Sequence, residues 1–238
     1  MNIRASVAMA VYNGERYLRQ QIDSVLAMMG PEDELVISYE ESADTTLKII
    51  QNYEAEDSRV RVVFDSGHSV ESNFNYAVAQ CKGKYIFLAD QDDIWIGDKI
   101  NKMVEFFEKN PKTVVLIGNG YITNEKLEKK ETLFDAYHIS TNPIRNFVKG
   151  TYLGCQMAFR TTIRNDVWPV NVEPPLPHDL WLGVRGAFCG KVDIIDQMFI
   201  LHRLHESNYS NTSKMTLVGV FQNRILFLKK LLVSIGKL

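Results

Sequence analysis

Apolar and polar positions along residues 1–117 switch between two periods. Short unbroken apolar runs read as strands buried on both faces: Ala5–Val11, Leu35-Val36-Ile37 within Glu34–Ser38, Val60–Phe64, Tyr85–Ala89 and Thr113–Ile117. Between them, apolar residues recur at helical spacing. Glu15–Met29 carries Leu18, Ile22, Val25 and Met29 on one face, and Asp98–Glu108 carries Ile100, Met103, Val104 and Phe107. Ala43–Tyr53 and Val70–Gln80 complete the alternation. Strands alternating with helices of this length predict an α/β fold, a mostly parallel central sheet flanked by helices. Beyond residue 117 the pattern weakens. Residues 118–150 are polar and unassigned, a strand is expected around Gln156–Phe159, and the proline cluster Pro169–Pro177 reads as a loop. His178–Phe188 is expected as a helix, Val192–Leu201 as a strand and Gly219–Leu238 as an amphipathic helix.

The length of 238 residues fits one domain with an appendage. The net charge of −2 argues against a nucleic-acid binder. That total hides a division: residues 207–238 hold Lys214, Arg224, Lys229, Lys230 and Lys237 with no acid (+5), leaving −7 on residues 1–206. Three widely spaced cysteines without a CxxC pair argue against a zinc or disulfide framework. The chain leads at once into a strand, and no apolar run reaches the ~18 residues of a membrane span. A cytoplasmic setting is therefore expected, peripheral on the inner face of a membrane if the terminal helix binds lipid, and the sequons at Asn208 and Asn211 carry little weight.

Ligands of open parallel sheets bind at the carboxyl ends of the strands. There, directly after Tyr85–Ala89, stands Asp90-Gln91-Asp92-Asp93. Three crowded carboxylates repel unless a cation offsets them, and oxygen-rich sites suit Mg²⁺ or Mn²⁺. The competing reading is an acidic turn with Asp93 or Asp98 as a helix N-cap. An EF-hand is excluded by Ile94 and Trp95, which stand at its fifth and sixth positions. An aspartyl phosphatase is disfavoured by Ile94 and by the three strand–helix units that come first. GxGxxG and GxxxxGK[ST] are absent. A nucleotide-sugar transferase fits best, since the preceding units can hold a nucleotide while the acids take a metal-bound diphosphate.

The run Ser6–Leu18, with Val11-Tyr12-Asn13-Gly14, and the run Phe87–Trp95 resemble family 2 glycosyltransferases of the GT-A fold. Pro177-His178-Asp179-Leu180-Trp181 and His202-Arg203-Leu204-His205-Glu206-Ser207-Asn208 resemble segments of the bacterial rhamnosyltransferase-type branch. The resemblance implies a catalytic domain over 1–211, with a donor half at 1–117 and an acceptor half at 118–211, and an extension at 212–238. It implies that Val11, Tyr12, Asn13, Glu40 and Asp90 bind the donor. Asp92 and His205 would hold the divalent cation, supported by Asp93, and Arg203 would reach a phosphate. Asp179 would be the catalytic base. Gly154, His178 and Trp181 would line the acceptor or sugar pocket, with Cys155 as packing. Asn73 is read either as approaching the donor or as helix surface.

The residues themselves leave alternatives. Tyr39-Glu40-Glu41-Ser42 stands where the family carries Asp-Asp-Gly-Ser, so Glu40 is either a base contact or a solvated loop charge. Asp179 is equally placed as an N-cap, Arg203 as a salt bridge, His205 as a surface residue and Trp181 as core.

The expected activity is inverting transfer of a sugar from a UDP- or dTDP-sugar to a saccharide acceptor, expected to be lipid-linked, in bacterial surface polysaccharide synthesis. The alternatives are a metal-dependent phosphoryl hydrolase and a silent nucleotide-sugar-binding module. The basic apolar helix at 219–238 suits either an anionic membrane surface or packing on the domain or on a second subunit. An oligomer stays open.

Overall fold

A computed structural model of the chain describes residues 3–168, 177–206 and 217–235. Most of the proline cluster (169–176), the polar stretch 207–216 with both sequons and the expected boundary at 211, and Lys214 and Lys237 lie outside the described residues.

The predicted alternation is present. Strands β1 (Ala5–Val11), β2 (Asp33–Glu40), β3 (Val60–Asp65) and β4 (Tyr85–Ala89) are joined through α1 (Leu18–Leu26), α2 (Thr46–Glu56) and α3 (Val70–Gln80). The chain continues through β5 (Ile94–Trp95), α4 (Lys99–Lys109), β6 (Thr113–Thr123), β7 (Lys129–Thr132), α5 (Leu133–Tyr137) and α6 (Pro143–Lys149). A 3-10 turn (Gly154–Gln156), β8 (Met157–Arg160), a second 3-10 turn (Thr161–Ile163), α7 (Arg164–Val167), α8 (His178–Gly186), β9 (Lys191–Arg203) and α9 (Leu217–Ile235) complete the described elements. The sheet runs β3-β2-β1-β4-β8-β6-β9-β5, with β7 paired to β6. β1 to β4, β6 and β9 run in one direction; β5, β7 and β8 run against it.

Both faces of the sheet are covered, which is why its strands read as unbroken apolar runs. On one face Leu18, Ile22 and Val25 of α1, Ile50 of α2, and Met103 and Phe107 of α4 pack as one cluster. On the other, Phe74 and Val78 of α3, Trp181 and Leu182 of α8 and Phe227 of α9 form the second.

The segment that resists sequence reading is ordered by long-range contacts. β6 runs six residues past Ile117, because Gly118 and Gly120 admit β9 closely. A Cβ on Gly118 would sit 2.5 Å from Phe199 Cδ2, and one on Gly120 2.7 Å from the Ile200 carbonyl oxygen. These glycines read as breakers locally but serve strand pairing here. α5 and α6 start at side-chain caps, Thr132 accepting from the Asp135 N–H and Asn142 from that of Arg145. α1 begins at Leu18 rather than Glu15, after a turn closed by Gly14.

Candidate active site

Register places the site. β1 pairs Val11 with Tyr39 of β2 and Met9 with Ala89 of β4, so the acidic run leaves the sheet beside the end of β1. Gln91 clasps that end: its Oε1 accepts from the Tyr12 N–H at 2.9 Å and its Nε2 donates to the Tyr12 carbonyl at 2.8 Å. A Cβ at Gly14 would fall 2.6 Å from Gln91 Oε1, so a side chain there would push against the Gln91 clasp. Val11 is buried, while Tyr12 is half exposed at the mouth. Asn13, at φ 46°, joins the β2 side: its N–H donates to Ser42 Oγ and its Oδ1 accepts from the Ala43 N–H. Asn73 is a buried peg donating to the Val11 carbonyl, which answers its open reading.

After β2, Tyr39 is buried and its hydroxyl accepts from the Ser42 N–H at 2.9 Å, so the departure from the family pattern forms an organised loop. The Glu40 side chain is largely buried, 3.8 Å from His68 Nδ1, and burial raises its pKa. Glu41 is exposed.

β5 folds the acidic run back onto β9, pairing Ile94 with Leu201. One residue further along the ladder, Asp93 meets His202. The pair is buried, with His202 Nδ1 2.9 Å from Asp93 Oδ1, which also accepts from the Arg203 N–H. Burial opposes the charge on His202, but Asp93 outweighs it and the imidazole is pushed up to about 9. Burial likewise opposes the charge on Asp93, and His202 holds that carboxyl below its ordinary value. Asp93 is thus an ion-pair partner, and the N-cap position belongs to Asp98, whose side chain makes no capping bond.

Asp92 meets His205, whose Nε2 lies 2.9 Å from Asp92 Oδ2, and the imidazole rests on the Tyr17 ring at 4.7 Å. The two residues singled out for a metal are therefore brought together. Ligand atoms held at ~2.1 Å in an octahedral shell stand ~3 Å apart when adjacent, so this spacing fits a shared hard cation. Asp90 adds to the need for positive charge: burial, then Asp93 and Asp92, push its carboxyl up to about 8. Among the described residues, Asp93, Cys155 and His202 also bring ligating atoms within 4.8 Å of one another. There the thiol is driven well above its ordinary value by burial and His202 pairs with Asp93 Oδ1, which makes a buried ion pair, while Asp93 Oδ2 is left buried without a hydrogen-bond partner.

Arg203 corrects an expectation. It is 3% exposed, and its guanidinium donates to the carbonyls of Asp92 and Glu125 and to Gln20 Oε1 over the face of Tyr17. In place of a fork for phosphate it braces the acidic loop. Trp181 is also core: it is 6% exposed, donates to the Val167 carbonyl at 3.0 Å and packs on Phe227. Gly154 is buried, and a Cβ there would lie 2.6 Å from His178 Nε2. Its smallness admits that imidazole rather than a substrate. His178 stacks on Phe74 at 4.4 Å, and burial pushes it down to about 4, keeping it neutral.

Asp179 opens α8 partly exposed. Burial pushes its carboxyl up to about 6, against hydrogen bonds from the Leu180, Asp179 and Gly154 N–H groups. Its charge is felt at Asp90, so the two acids lie near one another. It sits inside the first turn, Pro177 holding the cap position.

Sequence reading missed Lys99. It is fully buried, donates to the Cys155 carbonyl at 2.6 Å and lies 4.0 Å from the Trp95 ring centroid. Burial pushes its amine down to about 8, with Asp93 and Asp90 opposing. The available signal was a lysine on the stripe of Met103 and Phe107. Two open depressions, of about 480 and 490 Å³, lie at the amino ends of the strands around Arg4 and around Lys82–Lys84, away from these acids.

Comparison with known proteins bears on this arrangement. A family model described as glycosyl transferase family 2 matches residues 6–168. A Bacillus subtilis protein named as a teichuronic acid biosynthesis glycosyltransferase, TuaG, is 36% identical over 104 residues, covering 42% of this chain and 40% of its own. A second from that organism, named as a glycosyltransferase, EpsE, is 30% identical over 121 residues, covering 50% of this chain and 43% of its own. The chain thus spans under half the length of either. The Staphylococcus aureus TarS fragment 1–349, solved with UDP-GlcNAc, superposes with a TM-score of 0.71 at 16% identity, covering 98% of this chain and 66% of that one.

Proposed function

The chain belongs to glycosyl transferase family 2, and from that premise we propose that it transfers a sugar, with inversion, from a nucleoside diphosphate to a saccharide hydroxyl in surface polysaccharide assembly. The observation that carries this reading is the pairing of Asp92 with His205 beyond the carboxyl end of β4. The name of TuaG and the UDP-GlcNAc complex of TarS support the choice of setting and make UDP-sugars the first donors to test.

In this reading Tyr12 and Asn13 border the nucleotide, with Glu40 set behind them at the end of β2. Asp90 would stand near the ribose. Asp92 and His205 would hold a divalent cation, which when bound offsets negative charge on the departing diphosphate. The acceptor hydroxyl gives its proton to an Asp179 oxygen as its own oxygen bonds to the anomeric carbon. The bond from that carbon to the diphosphate breaks, and its electron pair leaves with the diphosphate. A carboxyl pushed up to about 6 is ionised at neutral pH yet more basic than an exposed aspartate, as a general base requires. The Leu180 N–H, donating to Asp179 Oδ1 at 2.6 Å, holds its orientation.

The test is a panel of nucleoside-diphosphate sugars with Mn²⁺, followed by release of nucleoside diphosphate in wild type, Asp92→Ala and Asp179→Asn. Nucleoside diphosphate released by wild type and lost in both variants supports the reading. Inorganic phosphate as product would replace it with a hydrolase, and metal-dependent binding without turnover would replace it with a binding module.

A further inference from the structure

α6 and α9 lie side by side and antiparallel. Phe147 meets Phe227 edge to face at 5.5 Å, and three residues on, Gly150 lies against the Arg224 guanidinium, which also covers Phe147. Those contacts fix which flanks face each other. On α6, Asn146 is buried, and beyond Phe147 come Ile144 and Val148, 76% and 62% exposed. On α9, Phe227 and Leu231 are buried, and beyond Arg224 come Leu228 and Leu232, 45% and 62% exposed. At 100° per residue, both exposed pairs lie on the flanks that meet, turned outward. Ile144, Val148, Leu228 and Leu232 therefore form one ridge along the seam. Arg145, Lys149 and Lys229 border it, all exposed, and neither helix contains an aspartate or glutamate. No described helix is long and apolar enough to cross a membrane.

We propose that this two-helix ridge docks the protein flat on an anionic lipid surface. Large aliphatic side chains bordered by cations, on a body otherwise net negative, suit a plane with acidic headgroups over an apolar interior. A second copy fits less well, because it would set the same cations against each other. The ridge also adjoins the acceptor side of the site. Gly150, at the end of α6, is four residues from Gly154, which lies against His178, the residue before Asp179, a span of at most ~14 Å. Docking would hold the candidate base near a saccharide displayed on lipid, and only this step rests on the transferase reading.

The experiment is cosedimentation of the full chain with phosphatidylcholine vesicles and with vesicles containing phosphatidylglycerol. The variants are Ile144→Glu/Val148→Glu, Leu228→Glu/Leu232→Glu and Arg145→Gln/Lys149→Gln, with melting temperatures checking that these surface changes leave the fold intact. The expected result is binding to anionic vesicles alone, weakened at least ~10-fold by either glutamate pair. Each cation removed should weaken it about fivefold. Should a glutamate pair unfold the chain, the corresponding glutamine pair replaces it. Equal binding to neutral vesicles, or α6 variants that bind as wild type, would overturn the proposal. So would absent lipid binding with a self-association lost in the glutamate variants, which would make a second copy the occupant. Nucleoside-diphosphate release is measured in parallel: lipid binding that follows the expected pattern in a chain that never turns over would sink the transferase reading alone.

Discussion

The buried Asp93–His202 pair gives the sharpest stability prediction. Asp93→Asn removes the charge but keeps an oxygen able to accept from the Arg203 N–H, as Asp93 does at 3.2 Å. Without the carboxylate, burial keeps His202 neutral. In wild type the imidazole rises from 6.5 to about 9, and at ~1.4 kcal/mol per pH unit the pair contributes about 3 kcal/mol. The coupling is counted once, although Asp93 is lowered by the same contact. That figure sits at the low end of the ~3–5 kcal/mol seen when one partner of a buried pair is removed. For a chain of this length it corresponds to a melting point lower by roughly 6–12 °C. The sign sets the pH window: a raised folded pKa stabilises fully below the unfolded value of 6.5, and the gain is lost as pH rises through about 9. Urea denaturation of both proteins at pH 6 and pH 10 measures it. The gap should be near 3 kcal/mol at pH 6 and close mostly by pH 10. An equal gap at both pH values, or less than ~1 kcal/mol at pH 6, would refute a charged pair.

Other outcomes follow from the same geometry. Asp179→Asn should lower kcat by ~10²–10⁴ with little change in donor binding, and kcat/KM of wild type should rise with pH through a limb near 6 that the variant lacks; transfer at the wild-type rate would remove the base assignment. His205→Ala should raise the Mn²⁺ concentration needed for half-maximal activity at least ~10-fold, read by metal titration. Gly118→Ala should destabilise by about 1–3 kcal/mol in thermal unfolding, since Phe199 would have to shift inside a packed strand pair. Lys99→Met should reduce activity while leaving the melting point within a few degrees, because it frees the Cys155 carbonyl and loosens the 3-10 turn whose Gly154 seats His178, the residue before Asp179.

Residues 1–117 were legible because their information is local. Their strands are buried on both faces and carry continuous apolar runs, and their helices repeat at 3.6 residues. Order along the chain then put Asp90–Asp93 at a strand end. Within the site, Asp92 and His205, 113 residues apart, were paired by the resemblance and are joined here by the β5–β9 ladder.

Other features depended on partners distant in sequence. Gly118 and Gly120 look like breakers until β9 lies against them. Arg203 looks like an anion ligand until Tyr17, Gln20 and Glu125 converge on it. Lys99 looks like a solvated helix start until the Cys155 carbonyl arrives from 56 residues away. Charge and periodicity fix which residues are available and which face of an element is apolar, because those are properties of neighbours along the chain. Whether a guanidinium, an amine or an indole meets solvent or its own fold depends on what packs above it. That is why the sequence determined the family, the sheet and the acidic strand end, while the tertiary structure decided which charges are tied into the fold, as Arg203, Asp93 and Lys99 are.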